Sequence, residues 1–143
     1  MTQRPVRIDL QFHWRALGPL RMDTSRGLIF PVAPRRPGLY RFRLCGNGVA
    51  RHYVGETDEL RRRFQNYRTP GKSQQTNIRM NGEFRDHMAA GGSVEIDIVV
   101  DNIDITAAGQ PVRVDLSDNA VRRLFEHAAL VDEAAAGVQL LNH

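Results

Sequence analysis

Cysteine, lysine and tryptophan each occur once in these 143 residues, as Cys45, Lys72 and Trp14. A lone cysteine forms no internal disulfide and builds no zinc site by itself, so neither is expected to hold the fold together. No run approaches the 18 uninterrupted apolar residues of a membrane span. The opening text "MTQRPVRIDLQFHW" returns to charge before any long apolar core develops. No membrane partner is expected, and the cytoplasm is the expected location, beside the nucleoid in a prokaryotic host. Hydrophobic residues make up 41% and charged residues 25%, a balance that excludes a disordered chain and predicts one packed domain.

With one lysine, the basic excess is almost purely arginine. Positions 1 to 85 carry 17 basic against 6 acidic residues, and positions 86 to 143 carry 3 against 10, which leaves a net charge of only +4. Arginine presents a planar fork of donors suited to phosphate, so a basic half of this size points to a polyanionic partner such as nucleic acid.

The text falls into three parts, with no internal repeat. Residues 1–37 contain short apolar stretches broken by turn formers ("HWRALGPL", "GLIFPV", "APRRPG") and read as an amino-terminal extension packed on a domain that spans 38–143. "GLYRFRLCGNGVARHYVG" reads as a β-hairpin around "CGNG". Next, "ETDELRRRFQNY" predicts a helix over about 58–68, capped by Thr57 or Asp58, with Leu60, Phe64 and Tyr67 on one face. Beyond the loop "RTPGKSQQ", Ile78, Met80, Phe84 and Met88 predict a second helix that stops at a glycine pair. "SVEIDIVVD" alternates as a third strand with one wetter face. Ser117 or Asp118 then caps a last helix whose apolar stripe is Val121, Leu124, Phe125, Ala128 and Val131. The order ββααβα predicts an α+β fold, a three-stranded and mainly antiparallel sheet flanked by helices.

Hairpin pairing brings Tyr40 and Tyr53 together if the register puts both on one face. Gly55 lets the chain leave the strand tightly, and Arg63 and Tyr67, four residues apart, share a helix face. Glu126 sits at the border of the last helix's apolar stripe. It is either a solvated rim residue or a carboxylate able to hold a hard divalent cation with the help of water. Asn142 is either an ordinary terminal polar residue or a tether for a loop.

Taken together, "GLY" at 38–40, "HYVG" at 52–55, "ETDELRRRFQNY" at 56–67, "RRLFE" at 122–126 and "LLN" at 140–142 resemble the GIY-YIG nuclease family, over roughly residues 37–143. Leu39 and Val54 stand where the family's triplets carry isoleucine; both tyrosines and both glycines are retained. The resemblance implies catalytic roles for Tyr40, Tyr53, Arg63, Tyr67 and Glu126, with Glu126 as the metal ligand. It implies supporting roles for Gly38, Gly55 and Asn142. Arg61 and Arg62 read as a solvated or DNA-facing basic strip, Arg68 and Lys72 are further candidates for DNA contact, and Asn77, Arg79 and Asn81 either touch DNA or cap a helix.

The activity so implied is metal-dependent DNA endonuclease action. One Mg²⁺ or Mn²⁺ at Glu126 polarises the phosphate, Arg63 offsets its charge, and Tyr40 is the expected general base. A homodimer is the expected assembly for cutting both strands. A restriction-like role is favoured over a structure-selective repair or recombination nuclease. A catalytically inactive nucleic-acid-binding module and an arginine-rich scaffold for protein partners are the competing readings.

Overall fold

The computed structural model describes residues 3–48 and 50–142. Met1 and Thr2 of the expected extension, Val49 after the "CGNG" turn and the terminal His143 lie outside the described residues. In chain order the elements are β1 (Ile8–Gln11), β2 (Arg15–Pro19), β3 (Arg21–Asp23), β4 (Gly27–Ile29), β5 (Gly38–Cys45), β6 (Arg51–Thr57), α1 (Leu60–Arg68), α2 (Gln75–Ala89), β7 (Ser93–Val99), β8 (Asp104–Ala107), β9 (Gln110–Val112), α3 (Asn119–Ala135) and β10 (Gln139–Leu140). No helix among the described residues is long and apolar enough to cross a membrane.

The expected strands β5, β6 and β7 form the antiparallel centre of the main sheet. The expectation of three strands is corrected to five, in the order β10-β6-β5-β7-β2. One added edge is β2, paired antiparallel to β7 through an irregularity between Ala16 and Gly18, and the other is β10, parallel to β6. The first is broken by its bulge and the second has two residues, so neither carries a readable alternation. Part of the segment read as an extension is therefore built into the central sheet. The remaining strands form a three-stranded sheet, β1-β8-β9, and a two-stranded one, β3-β4.

Alternation along β5 assigns the two faces. Tyr40, Phe42 and Leu44 pack with Leu60, Phe64 and Tyr67 of α1 and with Met80 and Phe84 of α2 in the larger core. Phe42 lies at its centre, its ring 4.9 Å from that of Phe84 and 5.1 Å from that of Tyr67. Full burial of such a side chain contributes about 2–3 kcal/mol. On the other face Leu39 joins Val99, Ile105, Leu116 and Phe125 of α3 in a second core.

That second face is also where the sequence misleads. Asp97 of β7, expected on the wetter side, is 3% exposed, and α3 buries Arg122, Phe125, Ala129 and Glu133 while Leu124 and Val131 turn outward. Ion pairs stand beside the apolar contacts there. Arg41 bridges Asp97 at 2.8 Å and Glu133 at 2.5 Å, Arg43 meets Asp97 at 2.7 Å, and His52 Nδ1 lies 2.9 Å from Glu133. Arg122 reaches Glu56 at 2.5 Å and donates to the carbonyls of Leu116 and Ser117. A stripe of paired charges at helical spacing is indistinguishable in sequence from a solvated face.

Helix caps differ in detail. At α3, Asp118 accepts from the Ala120 amide at 2.9 Å, as expected. At α1 the first helical residue is Leu60, whose amide donates to the Arg36 carbonyl. Thr57 accepts from the Glu59 amide just before it, whereas Asp58 and Glu59 pair with Arg62 instead of capping.

Candidate active site

In the β5–β6 register Tyr40 stands opposite Gly55, and Tyr53 stands opposite Phe42, two pairs further along. Both tyrosines therefore share a face, with ring centroids 6.4 Å apart. Gly55 is required by close approach: a Cβ there would overlap the Tyr40 ring and hydroxyl. Gly38 answers the same constraint, because its Cβ would strike the Val99 carbonyl.

Tyr40 is 1% exposed. Its hydroxyl is 2.7 Å from that of Tyr67 and accepts from Arg63 Nε at 3.0 Å. Arg63 Nη2 donates to the Tyr67 hydroxyl at 3.3 Å, and the guanidinium lies 4.9 Å from the centre of the Tyr67 ring. Three residues from a strand and a helix thus form one closed cluster. Burial pushes the Tyr40 phenol up to about 12, against a smaller opposing pull from Arg63. Burial likewise raises Tyr67 well above the ordinary phenol range, with the Tyr40 and Tyr53 charges adding to it. For Arg63 burial works against the charge, but the tyrosine oxygens outweigh it and the pKa rises. At neutral pH Tyr40 and Tyr67 are therefore neutral hydroxyls holding a charged guanidinium.

A cavity of about 400 Å³ lies alongside, lined by Tyr53, Thr76, Arg79, Glu126, Leu130, Leu140 and Asn142. β6, α2, α3 and the segment after α3 each contribute to it. Arg63 opens on a neighbouring cavity of about 390 Å³ formed with Ser73, Gln74, Gln75, Thr76 and Asn77. Thr76 belongs to both walls, so the Arg63 side and the Glu126 side adjoin at the start of α2.

Asn142 is anchored by strand-like bonding. Its Oδ1 accepts from the Val54 amide at 3.0 Å and its Nδ2 donates to the Val54 carbonyl at 2.6 Å. The Leu141 amide donates to the His52 carbonyl at 2.8 Å, so Asn142 continues the β10 ladder with its side chain. Val54 adjoins both Tyr53 and Gly55, which places this tether where the two motif residues are set.

Glu126 is half-buried. Burial raises its carboxyl pKa, the Glu56 charge adds to this, and His127, the Glu56 amide and Arg123 oppose it. Among the described residues no Lys, Arg or His nitrogen comes within 4 Å of it, and no three or more His, Cys, Asp and Glu are arranged so as to hold a metal ion by themselves. One carboxylate without an ion-pair partner, on a cavity with room for several waters, fits a single hard cation that keeps most of its waters, as Mg²⁺ does. It does not fit a cage of protein ligands.

The residues expected to face DNA divide into distinct environments. Arg62 pairs with Asp58 at 2.5 Å, and Arg61 donates to the Ala33 carbonyl at 2.8 Å. Arg61 and Arg68 also line a 260 Å³ cavity floored by Phe30 and Phe64. Lys72 is exposed. Asn81 ties down the last carbonyls of α1, donating to those of Tyr67 and Arg68. Asn77 is buried, with Nδ2 on Gln74 Oε1 and, among the described residues, no partner for Oδ1. Thus Asn77 and Asn81 hold the α1–α2 connection, whereas Arg79 faces the Glu126 cavity.

Two features of the site escaped sequence reading. Glu56, the residue after the second motif glycine, brings its charge to bear on Glu126 while pairing with Arg122. Thr76 links the two cavities. Only a contact across the fold identifies either. Comparison with family models, with curated proteins and with solved structures finds no match to this chain.

Proposed function

We propose that the protein is a divalent-metal-dependent DNA endonuclease that hydrolyses phosphodiester bonds at the Glu126 cavity. The observation that carries this reading is the convergence of Tyr53, Glu126 and Asn142 on one cavity adjoining that of Arg63. Glu126 is the residue that holds the cation, Mg²⁺ or Mn²⁺. When bound, the ion supplies Lewis-acid polarisation of a phosphate oxygen and stabilisation of the departing 3′ oxygen. Arg63, kept charged and oriented by two neutral tyrosines, offsets the charge that builds on the phosphoryl group. The water oxygen bonds to phosphorus, the bond to the 3′ oxygen breaks, and that oxygen takes up a proton as the water releases one.

The water-orienting task falls to Tyr53 in this reading. Its side chain lines the Glu126 cavity, whereas Tyr40, expected as the general base, is enclosed and raised to about 12 by burial. Tyr40 and Tyr67 position Arg63. Two copies acting as a homodimer would deliver paired cuts.

Nicking of supercoiled plasmid over a Mg²⁺ and Mn²⁺ series tests the reading. The parent protein nicks only with metal, and Glu126→Ala and Arg63→Ala lower the rate by ~100-fold or more. Tyr53→Phe is more damaging than Tyr40→Phe. Salt-sensitive DNA binding by a parent that never nicks would replace this reading with that of an inactive nucleic-acid-binding module. Mapping of the cut ends separates a fixed recognition sequence from selection of branched or damaged DNA.

A further inference from the structure

Arg79 and Glu126 carry opposite charges on the wall of one cavity, yet they are not paired. The natural helical partner of Arg79 is Glu83, four residues on along α2, but Glu83 instead meets Arg51 at 3.2 Å. Among the described residues no carboxylate oxygen lies within 4 Å of Arg79. Its one protein hydrogen bond among those residues runs from Nη2 to the Leu141 carbonyl at 3.1 Å. Leu141 precedes Asn142, which grips Val54 beside Tyr53. The guanidinium is therefore referenced to the same strand as the motif tyrosine, with most of its donors still available.

A half-buried cation and a half-buried anion that share a cavity without touching are best satisfied by a ligand carrying the opposite pair. A phosphodiester accompanied by a divalent cation is such a ligand. Resting on the nuclease reading, we propose that Arg79 contacts the phosphate that is cleaved, donating to a nonbridging oxygen from the α2 side while Arg63 acts from α1. Charge and donor geometry both enter this role, since a guanidinium fork can hold two oxygens where an ammonium acts as a point charge.

The test compares the parent with Arg79→Ala, Arg79→Gln and Arg79→Lys. Gln keeps a donor for Leu141 without the charge, and Lys keeps the charge without the fork. Cleavage of a linear duplex is followed with and without millimolar guanidinium, and binding of the same duplex in Ca²⁺ is followed as a function of salt. The proposal expects Ala and Gln to lose ~100-fold or more in kcat, with Lys intermediate. It expects guanidinium to restore part of the Ala activity, which it would not do for Glu126→Ala. The slope of log affinity against log salt falls by about one for Ala and Gln. Unchanged kcat and unchanged slope in folded Arg79→Gln overturn the proposal. Should the parent cleave nothing, the nuclease reading fails alone: a slope lowered by about one still supports the phosphate contact, and an unchanged slope overturns it.

Discussion

The Tyr40 hydroxyl is committed to Arg63 and Tyr67, and this makes the cluster sensitive to alkali. Its phenol titrates at about 12 in the fold against 10.0 for an ordinary tyrosine, because burial disfavours the phenolate. A folded pKa above the unfolded one means that above pH 10 the unfolded chain binds fewer protons than the native one, so stability falls as pH rises. The contribution of Tyr40 is complete below pH 10 and is lost progressively between 10 and about 12. Tyr67, raised for the same reason, acts in the same direction. Thermal unfolding from neutral pH to about 12 should therefore show a steep loss of Tm above 10, and Tyr40→Phe should flatten that loss. The same variant costs about 1–3 kcal/mol at neutral pH, since two hydrogen bonds lose their common oxygen. A Tm profile identical in parent and Tyr40→Phe above pH 10 would contradict the assignment.

At the scale of elements, the hairpin explains why its two glycines and its first tyrosine belong together. Tyr40 lies across Gly55, so Gly55→Ala must drive the ring away from Arg63 and Tyr67. The expected cost is about 1–3 kcal/mol for overpacking, with DNA cleavage lost to a greater extent than stability. Urea unfolding and plasmid nicking on one preparation check this; a variant with parental nicking would show that the cluster does not set Arg63. Part of this was legible in the sequence: alternation brings Tyr40 and Tyr53 to one face of the hairpin, and helical period brings Arg63 and Tyr67 to one face of α1. The packing of Tyr40 on Gly55 was not, because Gly55 reads there as a tight exit from the strand whereas its lack of a Cβ makes room for a ring. The orientation of α3 was not legible. Its buried face carries Arg122 and Glu133, whose partners Glu56, Arg41 and His52 lie on strands far away in sequence, while Leu124 and Val131 turn outward. Strands β2 and β10 were unreadable because a bulge interrupts the first and the second has two residues, too few for an alternation. Glu126 stood out at the border of the apolar stripe and again by resemblance, but only the fold reveals that Arg79 and Asn142 share its cavity.

Across the whole molecule, part of the arginine excess before residue 86 is neutralised inside the fold. Arg41 and Arg43 project behind the main sheet, where Asp97 and Glu133, both at most 4% exposed, neutralise them. Acidic residues from the second half of the chain therefore cancel part of the basic half internally. Among the described residues, cations without a carboxylate partner stand on α1, α2 and the loop between them, among them Arg63, Arg68, Lys72 and Arg79, and also along residues 3–37, where Arg4, Arg7, Arg15, Arg21, Arg26 and Arg35 are exposed. Net charge is thus a poor guide to the strength of DNA binding, and the position of each arginine is a good one. Removing a cation that meets phosphate releases one fewer counterion, so Arg68→Ala and Lys72→Ala should each lower the slope of log affinity against log salt by about one, with unfolding unchanged for the exposed Lys72. Arg41→Ala should do the reverse. It leaves Asp97 and Glu133 buried without a shared partner, which costs about 3–5 kcal/mol in urea unfolding, while the salt slope of the folded fraction stays parental. Binding to a linear duplex without divalent ions, across a salt series, measures the first effect separately from cleavage. Equal losses of slope for Arg41→Ala and Arg68→Ala would mean that DNA approaches from the α3 face, and the location of the site would have to be abandoned with it.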